Sequence, residues 1–274
     1  MTYRVLALDL DGTLLTRQHQ IVPAVCDAIH ALRERVEVIL VTGRHHTTAQ
    51  PYYRQLGLQT PIICCNGTYV YDYGRQMVVE ADAIPAQAAA QFIALAQAKS
   101  HELSLVIYVT EAMVYAQRQP AQYIASLKDW AETCPADYRP KIIAVPSLEQ
   151  SLAHNIQVWK FVVEGETEKI RAFADQTWIH AHFSAEQSWS NRMDFSWQGN
   201  SKGRRLLSLL TARHYSPAEL VAIGDNDNDI SMIRLAGFGV AMANANDTVK
   251  SCADCITPQT NEGRGVLDII ETYF

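Results

Sequence analysis

Asp9 and Asp11 stand two residues apart at the end of the apolar run Val5-Leu6-Ala7-Leu8, and Gly12 and Thr13 follow. A period of two puts both carboxylates on one side of the strand end. Like charges this close call for a cation between them. Asp9, at the most fixed backbone position, suits a nucleophile that splits phosphoryl transfer into two easier steps. Asp11 can then protonate the leaving oxygen and later activate water. Three other clusters complement this pair: Thr42-Gly43-Arg44, Lys202, and the run Gly224-Asp225-Asn226-Asp227-Asn228-Asp229. A hard cation with oxygen ligands, typically Mg²⁺, would join Asp9 to Asp225, with Asp229 orienting that shell or adding a ligand. Thr42 and the amides of Leu10 and Gly43 can donate to phosphate oxygens, and Lys202 adds a point charge.

Such chemistry needs all four clusters at one crevice, and the flanking segments supply the means. Val5 to Leu8 and Val38 to Val41 are short apolar runs that read as strands buried on both faces of a parallel sheet. Between them, Val25, Ala28, Ile29, Leu32 and Val36 recur at helical spacing, so a helix is expected from Pro23 through Arg35. Ligands of open α/β sheets sit beyond the carboxyl ends of the strands, where Asp9 and Thr42 fall. The run from Pro61 to Cys65 ends at Asn66-Gly67, with Tyr69 to Asp72 as a return arm.

The parallel pattern resumes at Ser201, a plausible N-cap that puts Lys202 in the first turn of a helix buried through Leu206, Leu207, Leu209 and Leu210. The strand from Leu220 to Ile223 then leads into the acidic run. A short helix, two late strands and a closing helix from Gly265 to Tyr273 complete this part.

Residues 85–196 contain no strand that ends in a chemistry-bearing loop. Helices are expected from Pro85 to Lys99, Ala121 to Thr133 and Thr167 to Thr177, among hairpin-like strands. The fold class is therefore α/β, a Rossmann-like doubly wound parallel sheet over 1–84 and 197–274, with an inserted α+β cap over 85–196.

A chain of 274 residues can bury a sizeable core, and its 48% hydrophobic and 19% charged content is that of a globular protein. With 29 acidic against 23 basic residues, net −6, a broad footprint for nucleic acid or anionic membrane is not expected. Neither a signal peptide nor an apolar span of 18 residues is legible. A cytoplasmic protein is expected, monomeric or a weak homo-oligomer, whose partner is a small phosphorylated metabolite. The cysteines at 26, 64, 65, 134, 252 and 255 lie mostly in apolar patterns, where free thiols act as small hydrophobes in a reducing compartment, and Cys252-x-x-Cys255 reads as structural.

His45 and His46 invite an acid/base role, but Asp11 already fills it, so they read as solvated or loop-supporting. Lys160 could meet a substrate or simply snorkel. Trp189 and Trp197 read as core. Arg44, Asn66 and Lys160 are the candidates for substrate specificity.

The motifs Asp9-Leu10-Asp11-Gly12-Thr13, Thr42-Gly43-Arg44, Lys202 and Gly224-Asp225 through Asn228-Asp229 resemble those of the haloacid dehalogenase superfamily. The whole chain is similar to its Cof-type phosphatases, which carry a class IIB cap between the second and third motifs. The resemblance implies Mg²⁺ on the residues matching Asp9, the Asp11 carbonyl and Asp225. It implies phosphate contacts from those matching Leu10, Thr42, Gly43, Lys202 and Asn228. The segments Ile63-Cys64-Cys65-Asn66-Gly67-Thr68-Tyr69 and Val158-Trp159-Lys160-Phe161 look most like bacterial members that act on pyridoxal 5′-phosphate and sugar phosphates. A sugar phosphomutase of the same architecture and a non-catalytic phosphometabolite-binding regulator are the alternatives.

Overall fold

The computed structural model describes residues 3–149 and 156–274. The chain forms two compact units, Met1–Glu80 with Ser201–Phe274, and Ala81–Asn200. These boundaries fall four residues outside the expected 85 and 196. Asn200 Nδ2 donates to the Asp82 carbonyl, so the two connecting strands are tied to each other within the inserted unit.

The first unit opens with β1 (Val5–Leu8), α1 (Pro23–Leu32), β2 (Glu37–Leu40), α2 (His46–Gln55), β3 (Ile62–Cys64), β4 (Tyr69–Asp72) and β5 (Met77–Ala81). Pro23 occupies the first turn of α1, where its missing N–H costs nothing. The helix expected through Arg35 ends at Leu32, whose carbonyl accepts the amides of Arg35 and Val36 in a closing turn. The periodicity of α2 was not legible, because Pro51 lies inside it and few of its residues are apolar.

The inserted unit holds α3 (Ala86–Gln97), β6 (Leu103–Val109), β7 (Ala112–Ala116), α4 (Gln122–Thr133), β8 (Lys141–Val145), β9 (Val158–Gly165), α5 (Thr167–Ala174), α6 (Thr177–His182), β10 (Phe183–Trp189) and β11 (Arg192–Trp197). Its sheet runs β10-β11-β9-β6-β7-β8, antiparallel except where β7 meets β8. One face is apolar: Phe92 of α3 stacks on Phe161 at 4.1 Å, with Phe173, Phe183 and Phe195 around them. A bulge opposite Tyr108 and Val109 interrupts strict alternation in β9, so Val158 and Phe161 both reach this cluster while Lys160 faces the other way. The helix expected over 167–177 ends at Ala174 as α5, and a second helix, α6, follows it. Trp189 is 66% exposed, unlike the expected core residue, whereas Trp197 packs against the cluster.

The first unit then resumes with α7 (Lys202–Ala212), β12 (Leu220–Gly224), α8 (Ile230–Leu235), β13 (Phe238–Ala241), α9 (Asp247–Lys250), β14 (Cys255–Ile256) and α10 (Gly265–Tyr273). Its main sheet is parallel in the order β14-β13-β12-β1-β2. A parallel bridge from Val41 to Ile63 adjoins the smaller β3-β4-β5 sheet. Val5 and Ala7 of β1 pack with Leu206, Leu209 and Leu210 of α7 and Met232 of α8 on one face. Leu6 and Leu8 alternate to the other and are equally buried, as the doubly wound class requires. Among the described residues no helix is long and apolar enough to cross a membrane.

Candidate active site

Three of the four clusters sit just past the carboxyl ends of parallel strands: Asp9 after β1, Thr42 after β2 and Asp225 after β12. The fourth enters from a helix start. Ser201 caps α7 by accepting from the Arg204 amide, which fixes Lys202 as the first helical residue. Lys202 Nζ donates to Asp9 Oδ1 and Asp229 Oδ1, both at 2.6 Å, with all three groups almost fully buried.

Asp229 is held from its other side as well: its Oδ2 accepts from the amides of Asp225 at 2.9 Å and Asn226 at 3.0 Å. Asp225 in turn accepts from the Thr13 hydroxyl at 3.1 Å. Carboxylate oxygens of Asp9, Asp225 and Asp229 lie within 4.8 Å of one another. Burial, and then the neighbouring carboxylates, push the Asp9 carboxyl well above its usual range, against the pull of Lys202. The same two causes push Asp225 up to about 7. Lys202 works against its own desolvation; Asp229 and Asp9 hold its ammonium charged above the usual lysine value. One lysine among two buried carboxylates and the half-buried Asp225 leaves the cluster short of positive charge.

Asp11 is turned away from this cluster. Its carboxylate is gripped by Arg44, with Nε and Nη2 each 2.6 Å from an oxygen, and His19 Nδ1 is 3.8 Å away. Against desolvation, which would raise it, Arg44 lowers the Asp11 carboxyl below its usual value. Arg44, a candidate for specificity, is thus engaged with Asp11, and its guanidinium also lies over the Tyr52 ring at 5.1 Å. Thr42 is buried, its hydroxyl accepting from the Arg44 amide at 3.0 Å. Gly12 takes φ 86°, and its carbonyl accepts from Asn244 at 2.8 Å, which ties the loop after β1 to the loop after β13. Neither Asn244 nor the grip on Asp11 was visible in the motif spacing.

Asn66 and Asn228, from loops 162 residues apart, meet with Asn228 Nδ2 donating to Asn66 Oδ1 at 3.1 Å. His45 and His46 are buried rather than solvated. His46 hydrogen-bonds the Tyr69 hydroxyl through its amide and Nδ1, each at 3.0 Å, and stacks on Tyr71 at 3.9 Å. Burial first, then His45, lowers its pKa to about 2, so its ring is neutral and supports the Thr42–Arg44 loop.

Lys160, in the inserted unit, is 3% exposed, paired with Asp194 and set over the Tyr108 ring at 4.6 Å. It does not snorkel. An ammonium already committed to a buried carboxylate is a poorer reader of substrate than the free lysine that the sequence suggested.

The sequence model of the haloacid dehalogenase-like hydrolases matches residues 6–270. The chain is 41% identical over 258 residues to the pyridoxal phosphate phosphatase YbhA of Escherichia coli, covering 93% of each. It resembles the solved structure of a haloacid dehalogenase-like hydrolase from Bacteroides thetaiotaomicron with a TM-score of 0.86, at 25% identity and complete coverage of both chains. The subclass IIB sugar phosphatase BT4131 shares the fold, with a TM-score of 0.77 at 20% identity over 98% of each chain. With nearly its whole length matched and its acidic clusters gathered at the strand ends, the chain belongs to the haloacid dehalogenase-like hydrolases and is a phosphatase.

Proposed function

We propose that the enzyme hydrolyses small phosphate monoesters through an aspartyl-phosphate on Asp9, with pyridoxal 5′-phosphate and sugar phosphates as its substrates. The observation that carries this is the ammonium of Lys202 clamped between Asp9 and Asp229 beside Asp225, a buried site with excess negative charge. The donor set fits Mg²⁺, since it is all oxygen and lacks positive charge. Both oxygens of Asp229 are taken by Lys202 and the loop amides, so Asp9, Asp225 and the Asp11 carbonyl would hold the ion and Asp229 would orient them. When bound, Mg²⁺ neutralises the carboxylates and polarises a phosphate oxygen.

Asp9 attacks phosphorus while Lys202, Thr42, Asn228 and the amides of Leu10 and Gly43 donate to the oxygens on which charge builds. The alkoxide leaves with a proton from Asp11, and the Asp11 carboxylate then takes a proton from the water that cleaves the acyl-phosphate. In its grip by Arg44 the group is ionised, which suits the second step. Delivering the first proton requires it to leave that grip. The identity to the pyridoxal phosphate phosphatase supports the choice of substrate.

Incubation with pyridoxal 5′-phosphate and Mg²⁺, with no bisphosphate activator, is expected to release inorganic phosphate, and excess EDTA to stop it. Release from sugar phosphates alone would move the substrate assignment. Turnover only with a bisphosphate present would favour a mutase. Release from no phosphate ester would overturn the proposal.

The raised carboxyls also predict how the metal-free protein responds to pH. The Asp225 carboxyl binds its proton more tightly folded, at about 7, than at its ordinary 3.8. Its contribution to stability is therefore complete below the ordinary value and is lost as pH rises through about 7. In EDTA, Tm is expected to fall by several degrees from about pH 5.5 to about pH 8, with Mg²⁺ or Asp225→Asn flattening the decline. An EDTA profile that is level, or one unchanged by Asp225→Asn, would remove Asp225 as its source.

A further inference from the structure

We propose that Arg205 is a positioning residue of the phosphate site, acting through the turn that carries Asn66. Cys65, Asn66 and Gly67 sit at φ of 49°, 58° and 89°, three left-handed residues in succession. That conformation is unfavourable for a residue with a side chain, so it persists only where the surroundings hold it.

The surroundings are specific. The Cys65 amide donates to the Arg44 carbonyl at 3.0 Å and the Asn66 amide to the Thr42 carbonyl at 3.1 Å. Arg205, 3% exposed and one turn beyond Lys202 on α7, donates from Nε to the Gly67 carbonyl at 2.9 Å and from Nη2 to the Thr68 carbonyl at 3.3 Å. Its Nη1 pairs with Glu80, which also accepts from Ser208 at 2.8 Å. A Cβ on Gly67 would collide with the Ser201 carbonyl, so the turn lies directly on the start of α7.

Asn66 is thereby placed where three motifs meet. Its Oδ1 accepts from Asn228, and a Cβ on Gly43 would stand only 2.7 Å from it. One face of α7 presents Lys202 to Asp9 while Arg205 fixes the turn that aligns Asn228 with Gly43. Deleting the guanidinium removes the hydrogen bonds it donates to the Gly67 and Thr68 carbonyls and to Glu80. It also frees a strained turn to relax, and small misplacements of binding groups have large kinetic costs.

Resting on the assignment of Thr42, Gly43 and Asn228 as phosphate contacts, the inference is tested by a kinetic cycle on p-nitrophenyl phosphate. At a temperature where all variants are folded, Arg205→Ala is expected to lower kcat/KM by about 10–100-fold and to raise the inhibition constant of inorganic phosphate in parallel. Arg205→Lys, which can reach one carbonyl but not two, is expected to fall between. Glu80→Gln keeps both carbonyl contacts and is expected to lower Tm with activity within about twofold of wild type.

The decisive comparison is with Asn66→Ala. If Arg205 acts through Asn66, adding Arg205→Ala to Asn66→Ala lowers kcat/KM little further, although the losses in Tm still accumulate. Fully additive kinetic losses, or Arg205→Ala within about twofold of wild type, would overturn the assignment. Should Arg205→Ala not fold, the same cycle is run with Arg205→Lys. Absence of hydrolysis by the wild-type enzyme would count instead against the phosphatase mechanism itself.

Discussion

Asp9→Asn is expected to leave a folded protein whose kcat is lower by roughly 10⁴-fold or more, the scale of losing a covalent nucleophile. An amide is isosteric with the carboxylate and its oxygen still accepts from Lys202, so the clamp keeps both of its hydrogen bonds, to residue 9 and to Asp229. It cannot form the acyl-phosphate. The substitution also removes a carboxyl that burial, Asp229 and Asp225 hold well above its usual range, so Tm at about pH 8 in EDTA is expected to rise rather than fall. Phosphate-release kinetics and a thermal melt check both halves. Turnover near that of wild type would eliminate the covalent route through Asp9, whereas inactivity with a collapsed Tm would mean that the fold, not the nucleophile, had been lost.

Lys202→Met carries the second large effect, because it strips the cation from a buried cluster and leaves Asp9 and Asp229 unpaired. Breaking a buried pair by removing one partner costs about 3–5 kcal/mol, and Lys202 is 1% exposed with two carboxylate partners. Loss of its charge from the phosphate site is expected to lower kcat by roughly 10²–10³-fold. The two losses separate in the double variant Lys202→Met with Asp229→Asn. Asparagine at 229 keeps an acceptor for the amides of Asp225 and Asn226 while removing one stranded charge, so stability is expected to recover in part and activity is not. Denaturant unfolding alongside kcat measures both. Recovery of activity with stability would show that Lys202 serves the fold alone.

The strands that carry the site were legible because a strand buried on both faces reads as an unbroken apolar run, as in Val5 to Leu8 and Leu220 to Ile223. The helices that pack on them were legible where apolar periodicity was strong, as in α7 and α10, and illegible where it was not. In α2 the sequence His46-Thr47-Thr48-Ala49-Gln50-Pro51 carries little helical signal, and His46 is buried by tyrosines that arrive from β4 and the residue after it. The short α6 was illegible because Ile179 is its one buried residue, too little to show a helical period.

The sequence by itself determined the parallel α/β core, the inserted α+β unit and the family. Each rests on local pattern: residue types at fixed offsets from strand ends and helix starts. Only the tertiary structure decided the partners of the charged groups. Arg44 reaches Asp11 across 33 residues, Lys160 pairs with Asp194 across 34, and Arg205 holds the Gly67 carbonyl across 138. Such pairings follow from how strands register and helices dock, since a charge without a nearby counter-charge cannot be buried at this cost. A buried charge therefore takes the partner that packing brings to it, and a single sequence does not record which one that is.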